Sequence, residues 1–231
     1  MLKNIYCWGR NKSVKTNLFY PNNLKDLQKF LVKNNNYLPF GNGRSYGDVC
    51  LNSNNLISMK KFCKILNFDK KKGIIEVESG MLLSDLLPSI IKEKWFMSVT
   101  PGSKYISLGG MLANNVHGKN VKKNFFSDYI ISFNLINSNG TLLNCSKNKN
   151  KELFYCTIGG LGLTGVVTSI KFKLKKISSV NLIKKTIFFN SLEKISFFDK
   201  LSKNYDYSVS WLDGYSKPTN IKGIFFLTKH D

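Results

Sequence analysis

Histidine is almost absent from this 231-residue chain: only His117, in the interior, and His230, one position from the end, occur. The five cysteines, Cys7, Cys50, Cys63, Cys145 and Cys156, are odd in number and contain no C-x-x-C. So few imidazoles and such scattered thiols argue against a zinc centre or a disulfide framework, and no metal is expected. No run approaches the roughly 18 apolar residues of a membrane span, and no N-terminal apolar segment resembles a secretory signal. The sequons at Asn139-Gly140-Thr141 and Asn144-Cys145-Ser146 therefore carry no weight, and a reducing, cytoplasmic compartment is expected. Internal repeats and low-complexity linkers are missing too.

Acidic residues are the other scarcity. Only 14 Asp+Glu face 35 Lys+Arg, a net charge of +21. The bases are nearly all lysine, scattered singly or in short runs such as 70–72. Nucleic-acid sites usually add arginine and exposed aromatics in a recognisable module. None is visible, so the charge reads as a solvated surface and no nucleic-acid partner is expected; peripheral contact with an anionic membrane stays open. Hydrophobic residues make up 42%, with 17 Phe and 10 Tyr, which describes a folded chain of one or two domains with a sizeable core.

Against these absences stand three glycine-dense loops. The first reads FGNGRSYGD over 40–48; the second is PGSKYISLGGMLANNVHGKN over 101–120. Glycine lets backbone N–H groups approach an anion with no Cβ in the way, and a nest of such amides cradles a diphosphate. Two such loops, about one small α/β unit apart, suggest two walls around one dinucleotide. The third, GGLGLTG over 159–165, contains a formal G-x-G-x-x-G at Gly160, Gly162 and Gly165. A nicotinamide fingerprint should follow a strand, open a helix and meet an acid about 20 residues later. Here the helix-like KELFYCTI precedes it, the alternating GVVTSIKFKLKK follows, and Lys184 and Lys185 lie near the acid's place. This loop reads instead as a hairpin corner packed against the cofactor.

The remaining pattern gives a coarse order. Leu24, Leu27, Phe30 and Leu31 form one helical face over 23–33, opened by capping asparagines. Strands are expected over 37–40, 74–79 and 95–100, with a helix from Ser84, as cap, to Lys94. Asn139-Gly140 predicts a hairpin between 129–137 and 141–145. Ser107 caps a short helix whose free amides would face a diphosphate, with Leu108, Met111 and Leu112 turned inward. After 176 the pattern restarts: strand 182–189, helix 192–203, strands 207–212 and 221–228.

GNGRSYGD, then PG-x6-GG-x6-HGKN, then ELFYCTIGGLGLTG, in this order and spacing, resembles the FAD-linked oxidases with a p-cresol methylhydroxylase-type flavin domain. Trp8-Gly9-Arg10 and Ser210-Trp211-Leu212-Asp213 are similar to its subfamily of decaprenylphosphoryl-β-D-ribose 2′-epimerase flavoprotein subunits. The resemblance runs along nearly the whole chain. It implies an α+β fold: a two-lobed FAD-binding domain over 1–176, followed over 177–231 by the start of an α+β substrate domain. Because family members are longer, and one further active-site lysine of theirs has no match here, the chain is expected to be truncated at the C-terminus and inactive alone.

The resemblance also assigns residues. Gly41, Asn42, Gly43, Arg44, Ser45, Tyr46, Gly47 and Asp48 match one flavin-binding stretch. Gly102, Ser107, Leu108, Gly109, Gly110, Asn114, Asn115, Val116, His117 and Val167 match further flavin-contacting positions. Arg44 occupies the place where relatives often carry a histidine bonded to the flavin, so FAD is expected to be non-covalent. Arg44 then serves as an anion partner or a surface salt bridge, and Asp48 as a turn cap or an acceptor from a ribose hydroxyl. His117 would orient a substrate hydroxyl or share its proton. Lys119 would hold a substrate phosphate or reach to water, and Trp211 is either a wall of the sugar pocket or a core aromatic. The implied reaction oxidises a sugar's secondary hydroxyl, the 2′-OH of a polyprenylphosphoryl ribose, with a separate short-chain reductase completing epimerisation. An aldonolactone or sugar-alcohol oxidase is the alternative within enzymes. A non-catalytic basic protein binding anionic lipid or nucleic acid is the alternative outside them.

Overall fold

The computed structural model describes residues 2–122, 124–217 and 220–231. It is a mixed α+β structure whose described strands form sheets of five, four, three and two strands. The first sheet runs in the order β1 (Leu2–Tyr6), β2 (Ser13–Phe19), β4 (Asn55–Ser58), β3 (Leu38–Phe40). Its β1–β2 pair is antiparallel, whereas β4 runs parallel to both neighbours. The expected helix over 23–33 is α1 (Leu24–Lys33), with Asn23 Oδ1 accepting from Asp26 N–H at 3.0 Å. Its Leu27 and Leu31 are buried with Ile57 of β4, with Met59 just beyond it, and with Ile136 and Val166 of the second sheet. That cluster joins the two sheets and leaves a cleft beside it.

The second sheet is antiparallel throughout, in the order β5 (Ile65–Asp69), β6 (Ile74–Glu78), β10 (Val166–Lys173), β8 (Ile130–Ile136), β9 (Leu142–Ser146). The predicted hairpin is present: Asn137 and Thr141 close the β8–β9 turn, and Gly140 sits at φ +75°, where a side chain would be strained. Helices α2 (Leu83–Ile91), α3 (Leu108–Ala113) and α4 (Lys151–Thr157) cover the sheet. Their Leu86, Ile90, Met111, Leu112 and Phe154 pack with Ile75, Val77, Phe133 and Ile170 in one buried cluster. Each such side chain contributes about 1.5–3 kcal/mol relative to exposure.

Two expectations fail here. The helix expected to be capped by Ser84 starts two residues earlier, at Leu83 with Leu82 at the cap and no side-chain cap bond; Ser84 Oγ bonds to Asp85 instead. It ends at Ile91, and Lys94, at φ +58°, turns the chain out. The strand expected over 95–100 pairs only through β7 (Trp95–Phe96), because its partner β11 (Lys175–Lys176) is two residues long. Beyond it the Asn120 side chain takes over the strand's hydrogen bonding, donating to Ser98 O at 2.9 Å and accepting from Thr100 N–H at 2.8 Å.

A third sheet, antiparallel in the order β12 (Leu182–Phe189), β14 (Gly223–His230), β13 (Tyr207–Leu212), forms after 177. The helix expected over 192–203 is a 3-10 turn at Leu192–Lys194 followed by α5 (Ile195–Ser202). The strand expected at 221–228 lies two residues further on, set by eight pairs with β12. Phe189, Phe198, Phe225 and Leu227 make a small core of their own.

Candidate functional site

The three glycine loops converge on one cleft. Loop 41–46 leaves β3 and meets the segment before α3: Asn42 Nδ2 donates to Tyr105 O at 2.7 Å. Gly41 is required there, since a Cβ on it would lie 2.1 Å from Ser107 Oγ. Ser107 caps α3 as expected, accepting from Gly110 N–H at 3.2 Å. The third loop, between α4 and β10, adds Leu161, Gly162 and Gly165, all at positive φ. A Cβ on Gly165 would meet Ile136 O at 2.6 Å. Helix before and strand after this loop is the reverse of a nicotinamide fingerprint, in keeping with the reading as a corner.

The expectation of free amides at the start of α3 is corrected. Leu108 N–H donates to Met81 O at 2.9 Å, Gly109 N–H to Ser79 O at 2.7 Å, and Gly110 N–H to the cap. These bonds pin the helix start to the end of β6, so its first turn has no donor to spare. Uncommitted amides lie in the first loop instead. Among the described residues, no backbone N–H from Asn42 to Gly47 reaches a protein acceptor.

The cleft encloses about 270 Å³, far beyond the roughly 10–15 Å³ that one water needs. Pro39, Ile106, Val116, Leu161 and Val167 make its apolar walls. Ser79, a wall residue only 2% exposed, keeps its Oγ buried and without a hydrogen-bond partner among the described residues. A buried unpaired hydroxyl costs about 1–3 kcal/mol unless a ligand satisfies it. Burial raises the thiol pKa of Cys50, another wall residue, which keeps it neutral. Apolar walls, uncommitted amides and one orphaned hydroxyl fit a flat ring system joined to an anionic linker.

Of the residues expected at a cofactor, the cleft brings together Gly41, Asn42, Gly43, Arg44, Ser45, Tyr46, Ser107, Gly109, Gly110, Asn114, Val116 and Val167. Gly47, Asp48, Gly102, Leu108, Asn115 and His117 do not line it. Leu108 is fully buried in the core cluster, and Asn115 Oδ1 accepts from Ser127 N–H at 3.1 Å. Asp48 pairs with Lys12 at 2.7 Å, and that hydrogen bond, with the ammonium's charge, holds its carboxyl below the usual range. It forms an exposed ion pair and does not line the cleft. Arg44 makes no salt bridge among the described residues; its guanidinium lies over the Trp8 ring at 4.9 Å.

The 117–120 segment is a strap between the cleft and the third sheet. His117, adjacent to the wall residue Val116, is exposed, pairs through its backbone with Phe125, and meets that ring edge-on at 6.2 Å. Gly118 packs so tightly that a Cβ would come within 2.1 Å of Thr100 O. Lys119 N–H donates to Thr100 O at 2.9 Å and its carbonyl accepts from Ser208 N–H at 2.8 Å, while its side chain lines a different cavity. Trp211 is 67% exposed with its ring edge toward Phe226, which removes the core-aromatic alternative and sets it on a groove apart from the cleft. Ser79, Ile106, Ala113 and Leu161 were not anticipated individually; Ile106, Ala113 and Leu161 lay in flagged loops, and Ser79 alone lay outside them.

Comparison with known proteins gives the same picture. A family described as "FAD binding domain" matches residues 17–146, more than half of the chain. The decaprenylphosphoryl-β-D-ribose oxidase of Mycolicibacterium smegmatis is 29% identical over 186 residues, 78% of this chain and 40% of that protein. L-gulonolactone oxidase of Bos taurus is 24% identical over 95% of this chain and 53% of its own. The mitochondrial L-galactono-1,4-lactone dehydrogenase of Arabidopsis thaliana is 25% identical over 70% of this chain and 28% of its own. The chain thus spans about half the length, or less, of these relatives.

Proposed function

The chain belongs to the family of FAD-binding domains and FAD is its cofactor; from that premise we propose that it serves an oxidoreductase acting on a secondary hydroxyl of a sugar. The observation that carries the reading is the cleft itself, where uncommitted amides of the first loop and the orphaned Ser79 hydroxyl meet apolar walls. In this reading residues 1–176 hold the cofactor across two lobes and residues 177–231 contribute to the substrate side. Asn42–Gly47 amides and Arg44 take the anionic linker, Ser79 donates to a polar edge of the ring system, and Ile106, Val116, Leu161 and Val167 exclude water from it. FAD is held non-covalently, since arginine at 44 cannot form the bond that a histidine makes there.

When bound, FAD supplies the acceptor for the hydride lost from the carbinol carbon. The chain's own part is the proton. His117 is exposed, one residue from the cleft wall, with its ring steadied by the edge of Phe125. A neutral imidazole there accepts the hydroxyl proton as the C–H bond is lost, leaving a keto sugar. Gly118 and Asn120, which lock the strap against 98–100, keep that ring in place. Lys119 and Trp211 are given no part in hydride transfer, because both face other surfaces.

For the substrate, the decaprenylphosphoryl ribose oxidase relative favours the 2′-OH of a polyprenylphosphoryl ribose, with a separate reductase as partner. The two lactone-acting relatives favour an aldonolactone as the second reading. No helix among the described residues is long and apolar enough to cross a membrane. The net charge of +21 supports peripheral contact with anionic lipid for a membrane-borne substrate. Assaying flavin reduction against a polyprenylphosphoryl ribose and a set of aldonolactones separates the readings: bleaching by the lactones alone overturns the first.

A further inference from the structure

The hairpin of β1 and β2 presents an open face that the cofactor cleft does not use. In its antiparallel register Asn4 stands opposite Lys15, so Leu2, Tyr6 and Lys15 share that face. All three are exposed, Leu2 at 63% and Tyr6 at 47%. The turn beyond adds Trp8, 48% exposed, and the exposed Arg10. The flavin-binding family match begins only at residue 17, so β1 and this turn lie outside it.

Arg10 and Arg44 are the chain's only arginines, and each lies over a ring at this tip. Arg10 covers Tyr6 at 5.9 Å and Arg44 covers Trp8 at 4.9 Å. Arg10 also stands at φ +56°, where a side chain is strained and glycine is not. An exposed arginine held there against that strain points to a use outside the fold. Among the described residues neither the Arg10 guanidinium nor the Lys15 ammonium meets a carboxylate, and Asp48 is already taken by Lys12.

We infer that this hairpin face docks on an anionic lipid bilayer, with Tyr6 and Trp8 at headgroup depth and Arg10 and Lys15 on lipid phosphates. Tyr and Trp settle at that depth because each joins an apolar body to a polar edge. A guanidinium grips phosphate through paired N–H donors. A nucleic acid would need open ring faces for its bases, and one face of Tyr6 and of Trp8 is already covered. The inference deepens the peripheral contact proposed above from net charge, and rests on that reading for its class of partner. What it adds is the place. Trp8 N–H donates to Ser45 O at 3.4 Å and its ring carries Arg44; Ser45 and Arg44 both line the cofactor cleft. Docking here sets that cleft beside the bilayer.

Sedimentation of the full chain with vesicles of phosphatidylglycerol and phosphatidylcholine tests it, because lipid binding is read with or without flavin. Binding is expected to the mixed vesicles, weakening with added salt, and none to phosphatidylcholine alone. Arg10→Asn combined with Lys15→Gln should weaken it roughly 25-fold, about fivefold for each charge near the surface. Asparagine tolerates the positive φ at position 10, so the turn is kept. Lys71→Gln combined with Lys72→Gln removes the same charge from the exposed turn between β5 and β6. It should change binding by less than about twofold, because screening confines the attraction to charges near the lipid. In a Trp211→Phe chain Trp8 is the exposed tryptophan that remains, since Trp95 is only 7% exposed. Bromine near the lipid headgroup should then quench its fluorescence more than bromine at the chain ends. Equal weakening by the two double variants overturns the hairpin assignment and leaves the charge reading standing; no binding to anionic vesicles overturns both. Stronger quenching from the chain ends would overturn headgroup depth. An oligothymidylate whose binding the hairpin variant weakens, with vesicle binding unchanged, would replace the bilayer by a nucleic acid.

Discussion

Gly41→Ala probes the contact that shapes the cofactor cleft. An added Cβ would stand 2.1 Å from Ser107 Oγ and 3.1 Å from Ser107 Cβ. Gly41 is not among the glycines at positive φ, so alanine strains no dihedral and the cost comes from the contact alone. The hydroxyl can escape only by rotating off Gly110 N–H, which forfeits the α3 cap at about 0.5–2 kcal/mol. The residual crowding adds about 1 kcal/mol or more. A loss of about 2–3 kcal/mol is therefore expected, read by urea denaturation of the FAD-free chain. Ser107→Ala alone should lose about 1 kcal/mol, the cap only. Because the cap can be lost only once, the two costs should not add: the double variant should recover at least about 1 kcal/mol of their sum. FAD affinity should fall in Gly41→Ala and partly return in the double variant. Strictly additive losses would refute the claim that this one contact sets the spacing of the two loops.

Three further outcomes follow from the site and the junction. Acid precipitation should release all FAD into the supernatant; yellow colour in the washed pellet would overturn non-covalent binding at Arg44. His117→Ala should lower turnover by about 10²-fold with FAD content unchanged, the scale of a positioned acid or base, and an unchanged kcat would return His117 to a structural role. Burial, aided by the neighbouring Asp206 charge, pushes Tyr207 up to about 12. A raised folded pKa stabilises fully below the unfolded value of about 10 and is lost as pH climbs toward 12, so alkaline denaturation should show a drop across that window that Tyr207→Phe lacks.

What was legible in the sequence was whatever a local rule enforces. Asn23 and Ser107 cap helices because short polar side chains can satisfy first-turn amides, and Gly140 turns a hairpin because φ there is positive. The glycine clusters marked the cleft because close backbone approach excludes a Cβ. What stayed hidden depends on partners distant in sequence. Nothing local distinguishes Ser79 as the residue that lends its carbonyl to Gly109 and keeps a buried, unpartnered hydroxyl in the cleft wall. Asn120 substitutes for a missing strand partner of 98–100, an arrangement that periodicity cannot register and that made 95–100 read as one long strand. Asp48 read as a turn cap or a ribose acceptor because its pairing with Lys12 crosses from another loop.

The claim on which the rest depends is that the cleft between loop 41–46, Ser79 and α3 is the FAD site. Equilibrium titration of the FAD-free chain with FAD, beside an Ala113→Trp variant, tests it most directly. Ala113 lines the cleft, and its backbone carbonyl, which holds Leu161 N–H, survives the change. The account predicts saturable stoichiometric binding by the native chain and at least tenfold weaker binding by the variant, with the thermal midpoint of the FAD-free protein unmoved. FAD binding equally well to both would contradict it.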